Sequence, residues 1–259
     1  MADKVVSIVQ ARTSSTRLPR KVLLDLGGKT VLEHVIRRAQ CSKLTDRLVV
    51  ATSVNPADLA IVKICADLGI SVYCGSEEDP LQRYYQAARL FKAAHVVRLK
   101  ADCPLIDPTI IDAAISSHLE SGADYTSNTV LRTYPAGQDV EILTFAALRH
   151  IWRNARMMSD REHVTTYLTR CPDQLTSNHL KHRVDLSKKR WTMDRPEDYE
   201  LILFIFERLY QQNPTFGMQQ TLELLSHHPE METINQHIDI AEGLAISRGA
   251  DREVEPDCD

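Results

Sequence analysis

The sequence predicts an α/β protein: a single domain with a mostly parallel mixed sheet flanked by helices, followed by a C-terminal helical extension. Four short apolar runs, each followed by a segment with helical periodicity, fill residues 5–120. This alternation is typical of parallel strands joined by right-handed crossovers. The 259 residues can bury a large core, and the 43% hydrophobic and 25% charged fractions are ordinary for a globular protein.

The first half of the chain predicts four βα units. Its apolar runs are short and rich in β-branched residues, as buried parallel strands are. Thr30 can cap the first helix, and Gly69 fits the end of the second. The expected strands are 5–9, 47–51, 71–74 and 95–99, and the expected helices are 30–40, 57–68, one that ends near residue 91, and 109–120.

The second half is less regular. Its strand-like runs are shorter, and Pro196 fits the first turn of a helix. The expected strands are 123–126, 140–143, 175–178 and 190–193. The expected helices are 145–155, a stretch after 159–163 that ends near 170, 196–210, and two short helices after 217. We expect the polar, acidic tail 249–259 to be mobile.

The segment from Gln10 to Lys21 directly follows the first strand and is the most informative stretch of the sequence. It holds four hydroxyl side chains, three arginines and a lysine, and no carboxylate. In open α/β sheets, ligands bind at the carboxyl ends of the strands, where such a loop lies. The loop therefore favours a polyanion such as a triphosphate over a solvated turn. The sequence contains neither G-x-G-x-x-G nor G-x-x-x-x-G-K-[ST], which argues against dinucleotide-binding and P-loop proteins.

Composition excludes several other classes of protein. A net charge of −4 argues against a general nucleic-acid-binding surface. The chain opens with Met-Ala-Asp-Lys and runs straight into a strand, without a signal-peptide pattern, and no apolar run approaches the length of a membrane span. The six cysteines form no C-x-x-C pair, so we expect neither a zinc site nor a disulfide network. We expect a cytoplasmic protein with no membrane partner.

A series of short motifs occurs in the order found in one enzyme family. They are Gln10-Ala-Arg-Thr-Ser-Ser-Thr-Arg-Leu-Pro-Arg-Lys21, Val49-Val-Ala-Thr-Ser53, Gly75-Ser-Glu-Glu-Asp79 with Arg83-Tyr-Tyr, Asp102-Cys-Pro-Leu-Ile-Asp-Pro108, Ser127-Asn-Thr129, Gly137-Gln-Asp-Val-Glu141, Arg161-Glu-His163, and Trp191-Thr-Met-Asp-Arg-Pro-Glu-Asp198. Together they resemble the sugar cytidylyltransferases. The nearest resemblance is to the spore-coat-polysaccharide type, related to the acylneuraminate and 3-deoxy-manno-octulosonate cytidylyltransferases, and it covers about residues 4–210.

The resemblance implies a nucleotide-diphospho-sugar transferase (Rossmann-like) fold and a reaction. A hydroxyl group of an acidic sugar of the 2-keto-3-deoxy type would attack the α-phosphate of CTP and release pyrophosphate. The expected cofactor is Mg²⁺, and the expected role is surface polysaccharide biosynthesis. It further implies a homodimer. The expected division is a nucleotide-binding half, about 1–122, an acceptor and dimerisation half, about 123–212, and the extension 213–259. Two departures stand out: Arg20 replaces a usual Gly, which requires a negative φ or mild strain, and Lys100-Ala101 precedes Asp102 where Thr-Gly is usual.

The residues of the loop suit triphosphate binding and catalysis. Arg12 can contact phosphate through two nitrogens, and Lys21 can place a point charge near the α-phosphate, with Arg17 as a secondary candidate. Asp102, and Asp194 by resemblance, are the expected Mg²⁺ ligands, although both could instead cap helices. We expect Arg12, Lys21 and Asp102 to be catalytic. The expected nucleotide-binding residues are Gln10, Ala11, Arg12, Ser14, Ser15, Lys21, Thr52, Ser53, Ser76 and Arg83.

The acceptor pocket is expected in the second half of the chain. Arg161 could pair with a substrate carboxylate or, equally, form a buried pair with Glu141, and His163 is a hypothetical general base. The expected acceptor-binding residues are Asn128, Gln138, Asp139, Glu141, Arg161 and His163.

Two alternatives remain open at this point. The same fold serves glycosyltransferases, although these usually carry a D-x-D pattern where this chain has Lys100-Ala-Asp102. The second alternative is a nucleotide-binding relative without catalytic activity, which only Arg20 and Lys100-Ala101 support. Binding of a UDP- or GDP-sugar in preference to CTP would favour the first alternative, and CTP binding without turnover the second.

Overall fold

The computed structural model describes residues 4–255 and contains one seven-stranded sheet. The strands are β1 (Val5–Gln10), β2 (Arg47–Ser53), β3 (Ser71–Gly75), β4 (His95–Lys100), β5 (Tyr125–Ser127), β6 (Glu141–Thr144) and β7 (Ser177–His179). Their order across the sheet is β3-β2-β1-β4-β6-β5-β7. β1 to β4 are parallel, β6 is antiparallel to both of its neighbours, and β7 is parallel to β5. The predicted α/β class with a mostly parallel mixed sheet is confirmed.

The helices lie on both sides of this sheet. They are α1 (Val31–Ala39), α2 (Leu59–Asp67), α3 (Pro80–Leu90), α4 (Pro108–Ser121), α5 (Phe145–Asn154), α6 (Met158–His163), α7 (Tyr167–Arg170), α8 (Pro196–Leu209), α9 (Met218–Ser226), α10 (Pro229–Thr233) and α11 (Glu242–Gly249). Thr30 caps α1 in a capping box with Glu33, as the sequence predicts. The core packs α1, α2 and α4 against one face of the sheet and α3 and α5 against the other. None of the helices in residues 4–255 has the length and apolar character to cross a bilayer.

The predicted strand at 190–193 is wrong. Within the described residues this segment makes only an isolated bridge, between Ala136 and Arg190. Its backbone instead links two loops, since Trp191 N–H donates to Ala136 at 2.6 Å and Met193 N–H donates to Asp102 at 2.9 Å. The segment therefore carries Asp194 to the edge of the sheet rather than extending the sheet.

The C-terminal extension contains three helices, α9 to α11, where two were expected. Phe216 and Leu225 are buried with α8 in a third apolar cluster. Part of the tail expected to be mobile makes backbone hydrogen bonds to the loop before α6: Met158 N–H donates to Arg252 at 2.9 Å, and Val254 N–H donates to Arg156 at 2.7 Å. The rest of the expected tail, 256–259, lies outside the described residues.

Candidate active site

A cavity of about 410 Å³ opens at the carboxyl ends of β1 and β4. The two strands are neighbours in register, with Gln10 beside Lys100, so the residues that follow each strand meet at one edge of the sheet. The lining comes from the loop after β1, the loop after β4, α6, Asp194 and a C-terminal segment. Among the predicted site residues, it includes Gln10, Ala11, Arg12, Ser14, Ser15, Lys21, Asp102, His163 and Asp194.

A buried carboxylate that sequence reasoning missed shapes the basic loop. Asp58 accepts hydrogen bonds from the Thr13 backbone N–H at 2.8 Å and its hydroxyl at 2.6 Å. The other oxygen of Asp58 accepts from the hydroxyls of Thr52 and Ser53 at the end of β2. Although burial opposes ionisation, these hydrogen bonds hold the pKa of Asp58 below its usual value. The loop after β1 is thereby fixed to β2.

Arg20 adopts the strained alternative that the sequence left open. Its φ is +54°, in the left-handed region where the related motif usually has glycine. A short 3₁₀ turn begins at the next residue, Lys21–Leu23. The strained residue thus turns the chain just before Lys21, whose side chain lines the cavity.

Lys21 lies between the two carboxylates that were predicted as metal ligands. Its Nζ is 2.5 Å from Oδ2 of Asp102 and 2.6 Å from Oδ1 of Asp194, and Arg17 contacts the same Asp194 oxygen at 3.0 Å. Burial would lower the pKa of Lys21, but the two carboxylates outweigh it and raise that pKa. Burial would likewise raise the pKa of Asp194, but Lys21 and Arg17 keep it well below the usual range. Lys21 and Asp194 are therefore both charged at neutral pH.

Neither Asp102 nor Asp194 caps a helix, which was the alternative to metal binding. Asp107, not Asp102, caps α4, and Asp198 accepts the backbone N–H groups of Asp194 and Arg195 at the start of α8. Within residues 4–255 no cluster of three or more His, Cys, Asp or Glu side chains could hold a metal. A pair of carboxylates beside a basic loop nevertheless suits Mg²⁺, which uses one or two carboxylates together with substrate phosphates and water. The donor set therefore fits a hard divalent cation.

Arg12 is held by a carboxylate from the second half of the chain. Its Nη2 lies 2.7 Å from Oε1 of Glu162 on α6, and the two side chains are 32% and 25% exposed. Sequence reasoning missed Glu162, since its partner lies 150 positions earlier and only the fold brings them together. A ligand phosphate at Arg12 would compete with this ion pair.

The four residues proposed for base recognition do not line the cavity. Thr52 and Ser53 are buried against Asp58. The guanidinium of Arg83 is also buried and donates to the backbone carbonyls of Ser76 and Glu77. Thr52, Ser53 and Arg83 therefore support the loops after β2 and β3, and contrary to expectation none of the four residues lines the cavity.

Most of the residues proposed for the acceptor are structural too. Asn128 and Gln138 are buried and bond the backbone of neighbouring loops. The carboxylate of Asp139 pairs with Lys100 at 2.9 Å and with Arg132 at 2.6 Å. These three side chains therefore lie outside the cavity lining.

The predicted Arg161–Glu141 pair is wrong, and Arg161 does not line the cavity. Arg161 is 4% exposed and pairs with Asp79 at the start of α3, at 2.5 Å. Glu141 is buried and pairs with Arg98, and its other oxygen accepts from the Tyr125 hydroxyl at 2.5 Å. Of the proposed acceptor residues, only His163 lines the cavity. Burial, followed by the charges of Arg98, Lys100, Arg12 and Arg248, lowers its pKa to about 4.

The C-terminal segment supplies cavity residues that no sequence signal indicated. Ile240, Gly243, Leu244, Ile246 and Ser247 all line it. Lys100 and Arg98 of β4 were also missed as lining residues. Their alternating positions on a strand could have indicated a shared face, but nothing local in the sequence places α11 near them.

The fold and the clustered cations and carboxylates define a class of protein, the nucleotidyltransferases of Rossmann-like fold. The cytidylyltransferase family model matches residues 6–235. The chain therefore belongs to the cytidylyltransferase family, as the sequence motifs predicted.

Individual relatives agree with this assignment. The spore coat polysaccharide biosynthesis protein SpsF of Bacillus subtilis is 32% identical over 89% of this chain and 98% of its own length. A cytidylyltransferase structure from Leptospira borgpetersenii is 32% identical, with a TM-score of 0.85 over 88% of this chain and 96% of that one.

Two more distant structures share the fold alone. CMP:2-keto-3-deoxy-manno-octonic acid synthetase complexed with CTP is 16% identical, with a TM-score of 0.59 over 79% of this chain and 99% of that one. Rv0371C from Mycobacterium tuberculosis in complex with manganese is 16% identical, with a TM-score of 0.57 over 80% of this chain and all of that one.

Proposed function

We propose that this protein transfers CMP from CTP to a hydroxyl group of an acidic sugar and releases pyrophosphate. The single observation that carries the proposal is the convergence of Lys21, Asp102 and Asp194 beside the basic loop, in a chain of the cytidylyltransferase family. CTP as the nucleotide is supported by the complex of the 16% identical synthetase, and a role in surface polysaccharide synthesis by the name of the B. subtilis relative.

The loop residues would hold and polarise the triphosphate. Arg12 can donate two parallel N–H groups to phosphate oxygens, and the hydroxyls of Ser14 and Ser15 line the same cavity. Lys21, fully charged and close to both carboxylates, would stabilise the negative charge that grows on the α-phosphate during in-line attack. Binding energy and charge stabilisation thus come from one short segment of the chain.

Asp102 and Asp194 would hold the divalent cation, for which we propose Mg²⁺. When bound, it would neutralise charge on the phosphates. The manganese complex of a protein with the same fold supports the use of a divalent ion. Lys21 and Arg17 hold the pKa of Asp194 well below its usual range, and both would have to share this carboxylate with the cation.

His163 and Lys100 are the cavity residues best suited to the acceptor. With a pKa of about 4, His163 is neutral at pH 7 and too weak a base to remove a hydroxyl proton efficiently, so we assign it the orientation of a hydroxyl group. Lys100 is 30% exposed and could bind the carboxylate of the sugar. The proposed homodimer remains a prediction, which sedimentation velocity can test.

Turnover assays test this proposal directly. The purified protein would be incubated with each nucleoside triphosphate, Mg²⁺ and a panel of acidic sugars while pyrophosphate is measured. We expect release with CTP only, and a loss of at least 100-fold in Asp102→Asn. Asp67→Asn, a change in an exposed side chain that pairs with Lys63, is the matched control. Absence of CTP-dependent release with every acceptor would refute the proposal.

A further inference from the structure

A buried ion pair lies next to Asp194, one of the two carboxylates proposed to hold the cation. Its members are Arg190, which is 3% exposed, and Asp198, which is fully buried. Nε and Nη2 of Arg190 each lie 2.8 Å from a different oxygen of Asp198, so the contact is bidentate. Neither side chain lines the cavity. Any effect of this pair on the site must therefore pass through a neighbouring residue.

The carboxylate of Asp198 holds the backbone that carries Asp194. Its Oδ2 accepts the Asp194 N–H at 2.9 Å and the Arg195 N–H at 3.0 Å. One residue earlier, Met193 N–H donates to the backbone oxygen of Asp102 at 2.9 Å. The short segment before α8 is thus fixed to Asp198 on one side and to the loop of the other carboxylate on the other side. The spacing of the two proposed cation ligands depends on both attachments.

Asp198 also keeps a positive charge away from Asp194. Nη2 of Arg190 is 2.8 Å from Oδ2 of Asp198 but 3.8 Å from Oδ2 of Asp194. A guanidinium is held more strongly by the nearer carboxylate, with which it makes two hydrogen bonds. Without the charge of Asp198, Arg190 would be free to pair closely with Asp194 and to compete with a cation for it.

The C-terminal extension reaches this pair through Asn235, which follows α10 and is 1% exposed. Its Nδ2 donates to Oδ1 of Asp198 at 2.8 Å and to the backbone oxygen of Arg190 at 2.9 Å. Within residues 4–255, its Oδ1 is buried and has no hydrogen-bond partner. An apolar side chain would avoid the free-energy cost of that unsatisfied oxygen, so packing alone does not account for an asparagine here. What the amide contributes is its two donated bonds.

We propose that Asp198 and Asn235 are positioning residues that hold Asp194 for the divalent cation, and that the C-terminal extension supports the site in this way. Asp198 fixes the backbone of Asp194 and retains Arg190, and Asn235 fixes Asp198. The inference rests on the proposed function, because it takes Asp194 as a cation ligand, and it adds the residues behind that ligand. Loss of such an outer partner typically weakens metal affinity about 10–100-fold.

Calorimetric titration of the full chain with CTP, in saturating Mn²⁺ and in EDTA, tests this without turnover. The ratio of the two Kd values measures how much the cation strengthens nucleotide binding. We expect a ratio of about tenfold or more in wild type, a loss of most of it in Asp198→Asn, and a reduction of about threefold in Asn235→Ala. Asn178→Ala is the matched control, since this half-buried amide donates to Ser117 at the far edge of the sheet. It should keep the wild-type ratio.

The Kd for CTP in EDTA reports whether a variant still has an intact nucleotide pocket, and we expect no change in it for Asp198→Asn or Asn235→Ala. An equal loss of CTP affinity with and without Mn²⁺ would overturn the inference, because it would mean that the pocket itself is damaged. Asp198→Asn leaves Arg190 buried without its charged partner. If that variant does not fold, Asn235→Ala decides alone, since it leaves the ion pair intact.

Asp194→Asn separates failure of the inference from failure of the proposed function. If this variant loses the effect of Mn²⁺ while Asp198→Asn and Asn235→Ala keep the wild-type ratio, only the positioning role is wrong. If Asp194→Asn itself keeps the wild-type ratio, or if Mn²⁺ does not strengthen CTP binding by wild type, the proposed cation site is wrong and the positioning role falls with it.

Discussion

The Arg12–Glu162 ion pair predicts that removing one negative charge should strengthen phosphate binding. Arg12 Nη2 is 2.7 Å from Glu162 Oε1, and Nη1 is 3.5 Å from the other oxygen, so the carboxylate occupies the edge of the guanidinium formed by its two Nη atoms. A triphosphate that binds this edge of Arg12 must displace Glu162. Glu162→Gln keeps the shape of the side chain and removes the charge.

The size of the effect follows from the exposure of the pair. Both side chains are about one-quarter to one-third exposed, so solvent screens the interaction and the pair is worth at most about 1 kcal/mol. Because 1.4 kcal/mol corresponds to a tenfold change in an equilibrium constant, we expect binding to tighten by about two- to fivefold. The gain should shrink above about 0.5 M salt, where the Debye length is only a few ångströms.

Calorimetric titration with inorganic tripolyphosphate and with CTP would measure this change. Glu207→Gln, at a side chain that is 60% exposed, serves as the control and should bind as wild type does. Weaker binding in Glu162→Gln would refute the reasoning, because it would mean that Glu162 helps to hold the nucleotide. Equal affinity at low salt would show that Arg12 does not contact the phosphates.

Two further predictions concern stability. A Cβ at Gly137, whose φ is +104°, would lie 2.4 Å from the carbonyl oxygen of Trp191, so Gly137→Ala should lower the free energy of unfolding in urea by about 3 kcal/mol or more. Gly28→Ala, with a φ of +86° but open space around it, should cost only about 1 kcal/mol, and equal losses would contradict the steric argument. Burial, and then His95, lowers the pKa of His118 to about 4, so the folded protein binds fewer protons than the unfolded chain and loses stability as the pH falls from 6.5 to 4. His118→Gln should reduce that loss by up to about 3 kcal/mol in urea titrations at the two pH values, and an identical pH dependence would count against it.

The sequence alone determined the sheet and the edge where the site lies. Four β-branched runs and the helical segments after them specify parallel strands locally, because strand period, capping and turn chemistry depend on near neighbours. β1 to β4 and the cap at Thr30 therefore lie where the sequence predicts. The basic loop after β1 and the acid after β4 then had to meet, since parallel neighbouring strands end at the same edge.

The tertiary structure decided which polar side chains face the cavity. The sequence allowed Arg161 to pair either with a substrate carboxylate or with Glu141. In the fold Arg161 pairs with Asp79 and Glu141 with Arg98. A buried charge must find a partner wherever the fold brings one within reach, and sequence distance does not limit that choice. The same applies to Arg12 and Glu162, which lie far apart in the chain.

The position of α11 beside the cavity shows most clearly what sequence reasoning could not predict. A short helix with a few apolar residues is compatible with many positions on a protein surface, and its own periodicity does not name the surface it covers. Contacts of Glu242, Ser247 and Asp251 with residues more than 40 positions away fix α11 over the cavity. Local sequence thus places the basic loop at the edge of the sheet, whereas long-range contacts place α11 over the cavity.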